Sequence, residues 1–169
     1  MSGRTMLVLG LVVWVVGMPL AHGVVPWAIS LLATRYGWID GRPGMWNLLG
    51  LVPVLVGIAL LIWTFVTGLR NVHRMPERVE VFVSPYLLTS GPYAFTRNPM
   101  YLAELALWVG WTICYGSAAI FVTLAATIVL GTFVVLPREE RGLEAQFGET
   151  YLQYKRTVPR WLGKTRGEE

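Results

Sequence analysis

The chain has 169 residues, of which 54% are hydrophobic and 14% charged, with eight Trp and seven Tyr, and its mean hydropathy is +0.53. This balance excludes an ordinary soluble domain and fits one compact helical unit in a membrane, with aromatic residues to spare for its rims. The formal charge of +4 lies in loops and the tail beside apolar runs, which favours anionic lipid and topology over nucleic acid. Cys114 is the single cysteine; it excludes an intrachain disulfide framework and, in an apolar stretch, reads as a small buried hydrophobe.

Thr5 to Ala33 is a long apolar stretch interrupted by Gly17, Pro19, His22, Gly23 and Pro26. A membrane helix needs about 20 residues, so the stretch predicts one kinked or broken transmembrane element ending in an interfacial segment near Trp27. Arg4 ahead of it imitates a signal peptide, but no small-residue cleavage pattern with a polar mature chain follows. His22 reads as a kink-side or interfacial histidine. His73 is the other histidine and neither has a close ligand cluster, so no metal site is expected.

Arg35 to Pro43 forms a polar loop containing Gly37, Asp40 and Gly41. Trp46 to Thr67 supplies a second span, with Trp46 and Trp63 toward its ends and Pro53 and Gly57 to bend it or admit a neighbouring helix. The character changes at Gly68 to Ser90, which carries Arg70, His73, Arg74, Glu77, Arg78 and Glu80. Its apolar patches, Val79 to Val83 and Tyr86-Leu87-Leu88, are too short to span and are expected along the surface or over a cavity.

Gly91 to Tyr101 reads Gly-Pro-Tyr-Ala-Phe-Thr-Arg-Asn-Pro-Met-Tyr. Gly91-Pro92 and Asn98-Pro99 are turn signals, and Pro99 can open a helix because its missing N–H would have been unpaired there. The stretch gathers Tyr93, Arg97, Asn98 and Tyr101 at the mouth of a bundle. A cation, an amide and two phenols suit a charged or zwitterionic ligand, and equally an interfacial anchor.

Pro99 to Tyr115 is the third span and Ser117 to Leu136 the fourth, joined tightly at Gly116. They should be antiparallel neighbours with Gly110 and Ala106 on the facing surface. Glu104 in the third span is costly as an ion in hydrocarbon, so it should face the interior, approach the rim, pair with a cation or become protonated. From Pro137 the chain leaves the membrane. Arg138 to Tyr154 predicts an amphipathic helix with Leu143, Phe147 and Tyr151 on one stripe, weakened at Gly148, stopped near Pro159 and followed by Trp161 at the bilayer surface. Adjacent Glu139 and Glu140 point to different helix faces. One can serve a ligand amine or ribose hydroxyls while the other pairs with Arg97 or Arg138, or both simply complement the helix dipole. Twelve of the fourteen Lys and Arg fall on one side of four spans, which predicts cytoplasmic N- and C-termini in a bacterial or archaeal cell membrane.

From Gly91 to Trp161 the sequence resembles the isoprenylcysteine carboxyl methyltransferase and phospholipid methyltransferase superfamily. The resemblance rests on the Gly91 to Tyr101 segment, two spans with a short loop, Arg-Glu-Glu-Arg-Gly-Leu-Glu, then Phe-Gly and the spaced Tyr151 and Tyr154. In that family an Arg-His-Pro segment and a later Glu-Glu pair help enclose S-adenosylmethionine. Asn98 stands where the histidine would be; it can donate and accept hydrogen bonds but cannot titrate near neutral pH. The resemblance implies S-adenosylmethionine as cofactor, contacted by Tyr93, Arg97, Asn98, Pro99, Tyr101, Glu139, Glu140 and Tyr151, with Gly91 and Pro92 shaping the rim. No Gly-rich dinucleotide loop is present.

The fold class expected is an all-α integral membrane protein, a compact bundle of about four transmembrane helices with a C-terminal cytosolic amphipathic helix. Residues 1–169 form one domain with its cofactor core over 91–161. The function expected is direct methyl transfer to a lipophilic acceptor, a prenylated cysteine carboxylate or thiol, with Arg97 and Glu104 as catalytic candidates. Glu104 would orient an amine or support Arg97, and Arg97 would orient a carboxylate acceptor. The alternatives are a phospholipid amine N-methyltransferase, a nicotinamide-dependent membrane reductase and a non-catalytic scaffold. The scaffold is favoured if Arg97 meets the Glu139-Glu140 pair across a filled interface. The partners expected are a lipophilic or lipid substrate and membrane lipids, with no nucleic acid and no obligate protein partner.

Overall fold

A computed structural model describes residues 3–74 and 86–162. The predicted Val79 to Val83 patch and its charged neighbours Glu77, Arg78 and Glu80 lie outside the described residues. Helix α1 (residues 3–30) runs without a break through both prolines. Each proline lacks an N–H and crowds the carbonyl four residues before it. The helix widens to π-turns ahead of them, at Val13–Gly17 and Leu20–Val24, closed by Met18 N–H to the Val13 carbonyl and Val25 N–H to the Leu20 carbonyl. Of the two expected forms, kinked or broken, the stretch takes the unbroken one, with two wide turns where the prolines fall. The His22 carbonyl, four residues ahead of Pro26, accepts the indole N–H of Trp111.

The predicted polar loop is a short hairpin. β1 (Trp38–Ile39) pairs antiparallel with β2 (Arg42–Pro43), and Asp40 (φ 49) and Gly41 (φ 73) supply the positive φ that a two-residue turn of this hand requires. Arg35 lies 4.7 Å from the Trp38 ring and 5.2 Å from that of Tyr115. Buried Asn47 donates to the carbonyls of Tyr36 and Ile113, closing this end of the bundle.

Helix α2 (Met45–Arg70) packs along α3 (Pro99–Tyr115). Gly50, Val54 and Gly57 meet Ala103, Leu107 and Gly110: a Cβ on Gly57 would sit 2.8 Å from the Ala103 carbonyl oxygen, and one on Gly110 2.7 Å from that of Gly50. This corrects the expectation that Gly110 faces the fourth span. Small residues on both α2 and α3 let those two backbones approach, so the close interface forms there. Gly116, at φ 56, turns the chain into α4 (Ala118–Phe147), which has its own π-turn at Gly131–Val135 ahead of Pro137.

Among the described residues, Leu7–Ser30, Met45–Arg70 and Ala118–Phe147 are long and apolar enough to cross a membrane. Pro99–Tyr115 is shorter, at 17 residues. Val15, Leu55, Ile62 and Phe133 are exposed, an outward apolar surface suited to lipid as solvent. The chain is therefore a mostly helical membrane protein.

The 30 residues of α4 extend about 45 Å, well beyond a hydrocarbon core of about 30 Å. Its end from Pro137 onward is polar and stands clear of the apolar run. The single helix expected over Arg138 to Tyr154 is divided at Gly148 (φ 52, ψ −130), a conformation that glycine alone adopts without strain. α5 (Glu149–Thr157) then folds back, and Tyr151, Tyr154 and Val158 pack with Leu87, Leu143 and Phe147. Val158 is extended, as the residue before Pro159 must be. Trp161 lines an apolar groove beside α3 and α4.

Candidate functional site

The site grows from the segment before α3. Gly91 (φ 63) lies so close to Thr67 of α2 that a Cβ would reach 3.1 Å from its Cγ2, and a short 3₁₀ turn, Gly91–Ala94, follows. Residues 96–98 are then bonded to residues 158–160. Buried Thr96 donates from Oγ1 to the Arg160 carbonyl (3.0 Å) and accepts the Asn98 N–H (3.2 Å). The Arg97 N–H donates to the Pro159 carbonyl (2.9 Å), and Asn98 Nδ2 to that of Arg160 (2.9 Å).

Arg97 closes the arrangement by donating from Nε to the Val158 carbonyl (3.0 Å) and from Nη1 to Glu140 Oε1 (2.8 Å). Arg160 Nε donates to the same carboxylate at 3.0 Å. Glu140 is 6% exposed. Burial would raise its pKa, but the Arg160 hydrogen bond and the guanidinium charges of Arg97 and Arg160 hold it below the ordinary carboxylate value. The same hydrogen bond raises Arg160. Glu139, one position earlier, points elsewhere and accepts the Tyr101 hydroxyl at 2.8 Å. The adjacent carboxylates thus present different faces, Glu140 to Arg97 and Arg160 and Glu139 to Tyr101. Burial pushes the Tyr93 phenol up to about 12, and its carbonyl accepts the Tyr154 hydroxyl at 2.7 Å.

Three cavities meet here. A polar cleft of about 940 Å³ is lined by Tyr93, Arg97, Asn98, Pro99, Tyr101 and Glu139, with Glu104, Arg138 and Gln146 beside them. Glu140 and Tyr151 line a smaller adjoining cavity of about 120 Å³. An apolar groove of about 450 Å³ runs between α3 and α4 past Leu105, Trp108, Leu124 and Ile128. Tyr101 and Glu104 line both the cleft and the groove.

The eight residues expected at a cofactor therefore converge, though not in one role. Asn98 bonds the Arg160 carbonyl, and Tyr151 is 1% exposed within the core. Glu104 does not support Arg97. Its partner among the described residues is His22, with Nε2 4.0 Å from Oε1, while Arg97 is held by Glu140. Arg97 does meet Glu140, as the scaffold reading requires, but beside an open cleft rather than across a filled interface. Sequence reading missed Thr96 and Arg160, and it placed His22 beside the prolines, where it stands, without its approach to Glu104. Arg160 followed an expected helix stop and carried no local sign of a partner twenty residues earlier.

Residues 46–150 match the family model described as phospholipid methyltransferase. Over 127 residues, 72% of this chain, the sequence is 31% identical to Protein-S-isoprenylcysteine O-methyltransferase of Xenopus laevis; the match spans 42% of that protein's length. It is also 35% identical over 63 residues to an uncharacterized protein of Haemophilus influenzae, 37% of this chain and all of the other. No solved structure matches.

Proposed function

This chain belongs to the phospholipid methyltransferase family, and we propose that it is an S-adenosylmethionine-dependent membrane enzyme that methylates a lipophilic acceptor. One observation carries the reading. The polar cleft and the apolar groove share Tyr101 and Glu104, so a charged molecule from water and an apolar one from lipid have a common wall. Residues 1–169 act as one domain with its cofactor core over 91–161. Pro99–Tyr115 serves as the third of four spans: its 17 residues extend about 26 Å, close to the hydrocarbon thickness.

The cleft's donor set fits a cofactor bearing a sulfonium, an amine and a carboxylate. Among the described residues Glu139 makes no ion pair, accepting only the Tyr101 hydroxyl, so it is available to a cationic group. Arg138 lines the same cleft and is available to an anionic one. Tyr93, Arg97, Asn98, Pro99 and Tyr101 form its walls, and the Arg97–Glu140–Arg160 cluster with Tyr151 holds those walls in place. When bound, the cofactor supplies an electrophilic methyl group. The chain's contribution is alignment of two reactants that arrive from different phases. The acceptors considered are a prenylated cysteine carboxylate or thiol and a phospholipid amine. Membrane lipids surround the bundle, and no nucleic acid or obligate protein partner is required.

The test is titration of S-adenosylmethionine into nanodisc-held protein beside a matched titration of reduced nicotinamide. Saturable S-adenosylmethionine binding is expected, weakened about 10- to 100-fold by Glu139→Ala, the range for loss of a charged hydrogen bond. Binding of reduced nicotinamide in its place would make the chain a reductase. Binding of neither by folded protein would leave a scaffold.

A further inference from the structure

The ring of His22 has no part in the fold that its position explains. The backbone bond displaced by Pro26 is compensated at the His22 carbonyl, which accepts the Trp111 indole N–H and which any residue would offer. The imidazole instead lines a cavity of about 440 Å³ between α1 and α2, among Trp14, Met18, Ile58, Phe65 and Trp111. Its Nδ1 is buried without a partner among the described residues, and its side chain is 12% exposed. A leucine would occupy such a place at lower cost, because an unpaired buried polar atom is unfavourable and an ionisable group inside a membrane protein more so.

The other ring nitrogen faces function. His22 Nε2 lies 4.0 Å from Glu104 Oε1, and Glu104 lines both the cleft and the groove. Glu139 and Tyr101 face Glu104 from the cleft side, with Arg138 on the same wall. An unfilled acceptor is tolerated in burial better than an orphaned N–H, which favours the neutral tautomer with its proton on Nε2, aimed at the carboxylate. The 4.0 Å gap exceeds a hydrogen bond and closes by a small side-chain rotation or a bridging water.

We propose that His22 is the positioning residue for Glu104, and that Glu104 takes the proton released when a thiol or amine acceptor is methylated. This rests on the methyltransferase reading above and adds the acceptor's chemistry. The acceptor heteroatom gives a lone pair to the methyl carbon, the methyl–sulfur bond breaks with its electrons left on sulfur, and the proton on the acceptor passes to the Glu104 carboxylate. A carboxylate acceptor releases no proton and would bring an anion beside Glu104 and Glu139. His22 lies in α1, ahead of the residues that match the family, so the positioning group comes from this chain's own N-terminal helix.

The experiment uses nanodisc-held full chain with dodecanethiol, dodecylamine and N-acetyl-S-farnesylcysteine as acceptor probes. His22→Leu fills the same space without polar atoms, whereas His22→Gln restores an N–H near the Nε2 position. The expected result is unchanged S-adenosylmethionine affinity in both. With the thiol or amine, kcat falls about 100-fold in His22→Leu, the scale of general acid–base assistance, and recovers in His22→Gln. The double variant His22→Leu/Glu104→Gln should be no slower than Glu104→Gln alone, since the two act as a unit. Wild-type turnover in His22→Leu, additive losses, or methylation confined to the carboxylate probe would overturn the proposal. The chain has two histidines, so ring nitrogen NMR with His73→Gln isolates the His22 signal without turnover. An Nε2–H tautomer perturbed by Glu104→Gln supports the pair, and an Nδ1–H tautomer or an indifferent signal overturns it. Wild-type protein that binds no S-adenosylmethionine overturns the methyltransferase reading instead, with the NMR result still deciding the pair.

Discussion

A carboxylate as buried as that of Glu140 persists because Arg97 and Arg160 both donate to it; losing such a partner costs on the order of 3 kcal/mol. Its folded-state pKa lies below the ordinary 4.5. The stability it contributes is therefore fully present above that value and is lost as pH falls through the lowered one. Glu140→Gln should melt well below wild type at pH 7, and the gap between the two curves should close as pH drops below about 4.5. Equal melting temperatures at pH 7 would show that the cluster contributes nothing. Arg97, Glu139 and Glu140 were legible as candidates because charge beside an apolar span needs a reason. Which carboxylate paired was not legible, since adjacent residues on a helix differ only in the face they present, and Arg97 is 43 positions away.

At the scale of elements, hydropathy located the long helices well, because an apolar run in lipid must satisfy its backbone internally and the helix is the local way to do so. Interior prolines were read as a kink or a break. They are absorbed as π-turns, because shifting one hydrogen bond by a residue costs less than abandoning a helix in an apolar medium. Helix pairing was read from loop length and came out incomplete, since the closest approach is set by glycines on α2 and α3. Gly110→Ala should lower the melting temperature by the equivalent of about 1–3 kcal/mol, because its Cβ would stand 2.5 Å from Val54 Cγ2. Gly10→Ala, which meets nothing within 4 Å, should leave it unchanged. Equal effects of the two would remove the α2–α3 contact as the organising interface.

For the whole molecule, the hairpin, Asn47 and the Gly116 turn close one end, while Arg97, Glu140 and Arg160 close the other. Charge asymmetry predicts that the second end faces cytoplasm. In a Cys114→Ser background, Asp40→Cys should react with an impermeant maleimide applied outside intact cells, and Gln153→Cys only after lysis; the reverse pattern would invert the topology. Sequence by itself determined the membrane class, the long helices and the family, and singled out the stretch that lines the cleft, because hydropathy, turn chemistry and motif order are properties of neighbouring residues. Only the tertiary structure decided that Arg160 completes the Glu140 cluster, that Asn98 ties down the C-terminal segment, and that His22 of α1 stands beside Glu104 of α3. Those pairings exist only once distant helices pack, and the small residues that let them pack fix which polar groups are left to meet.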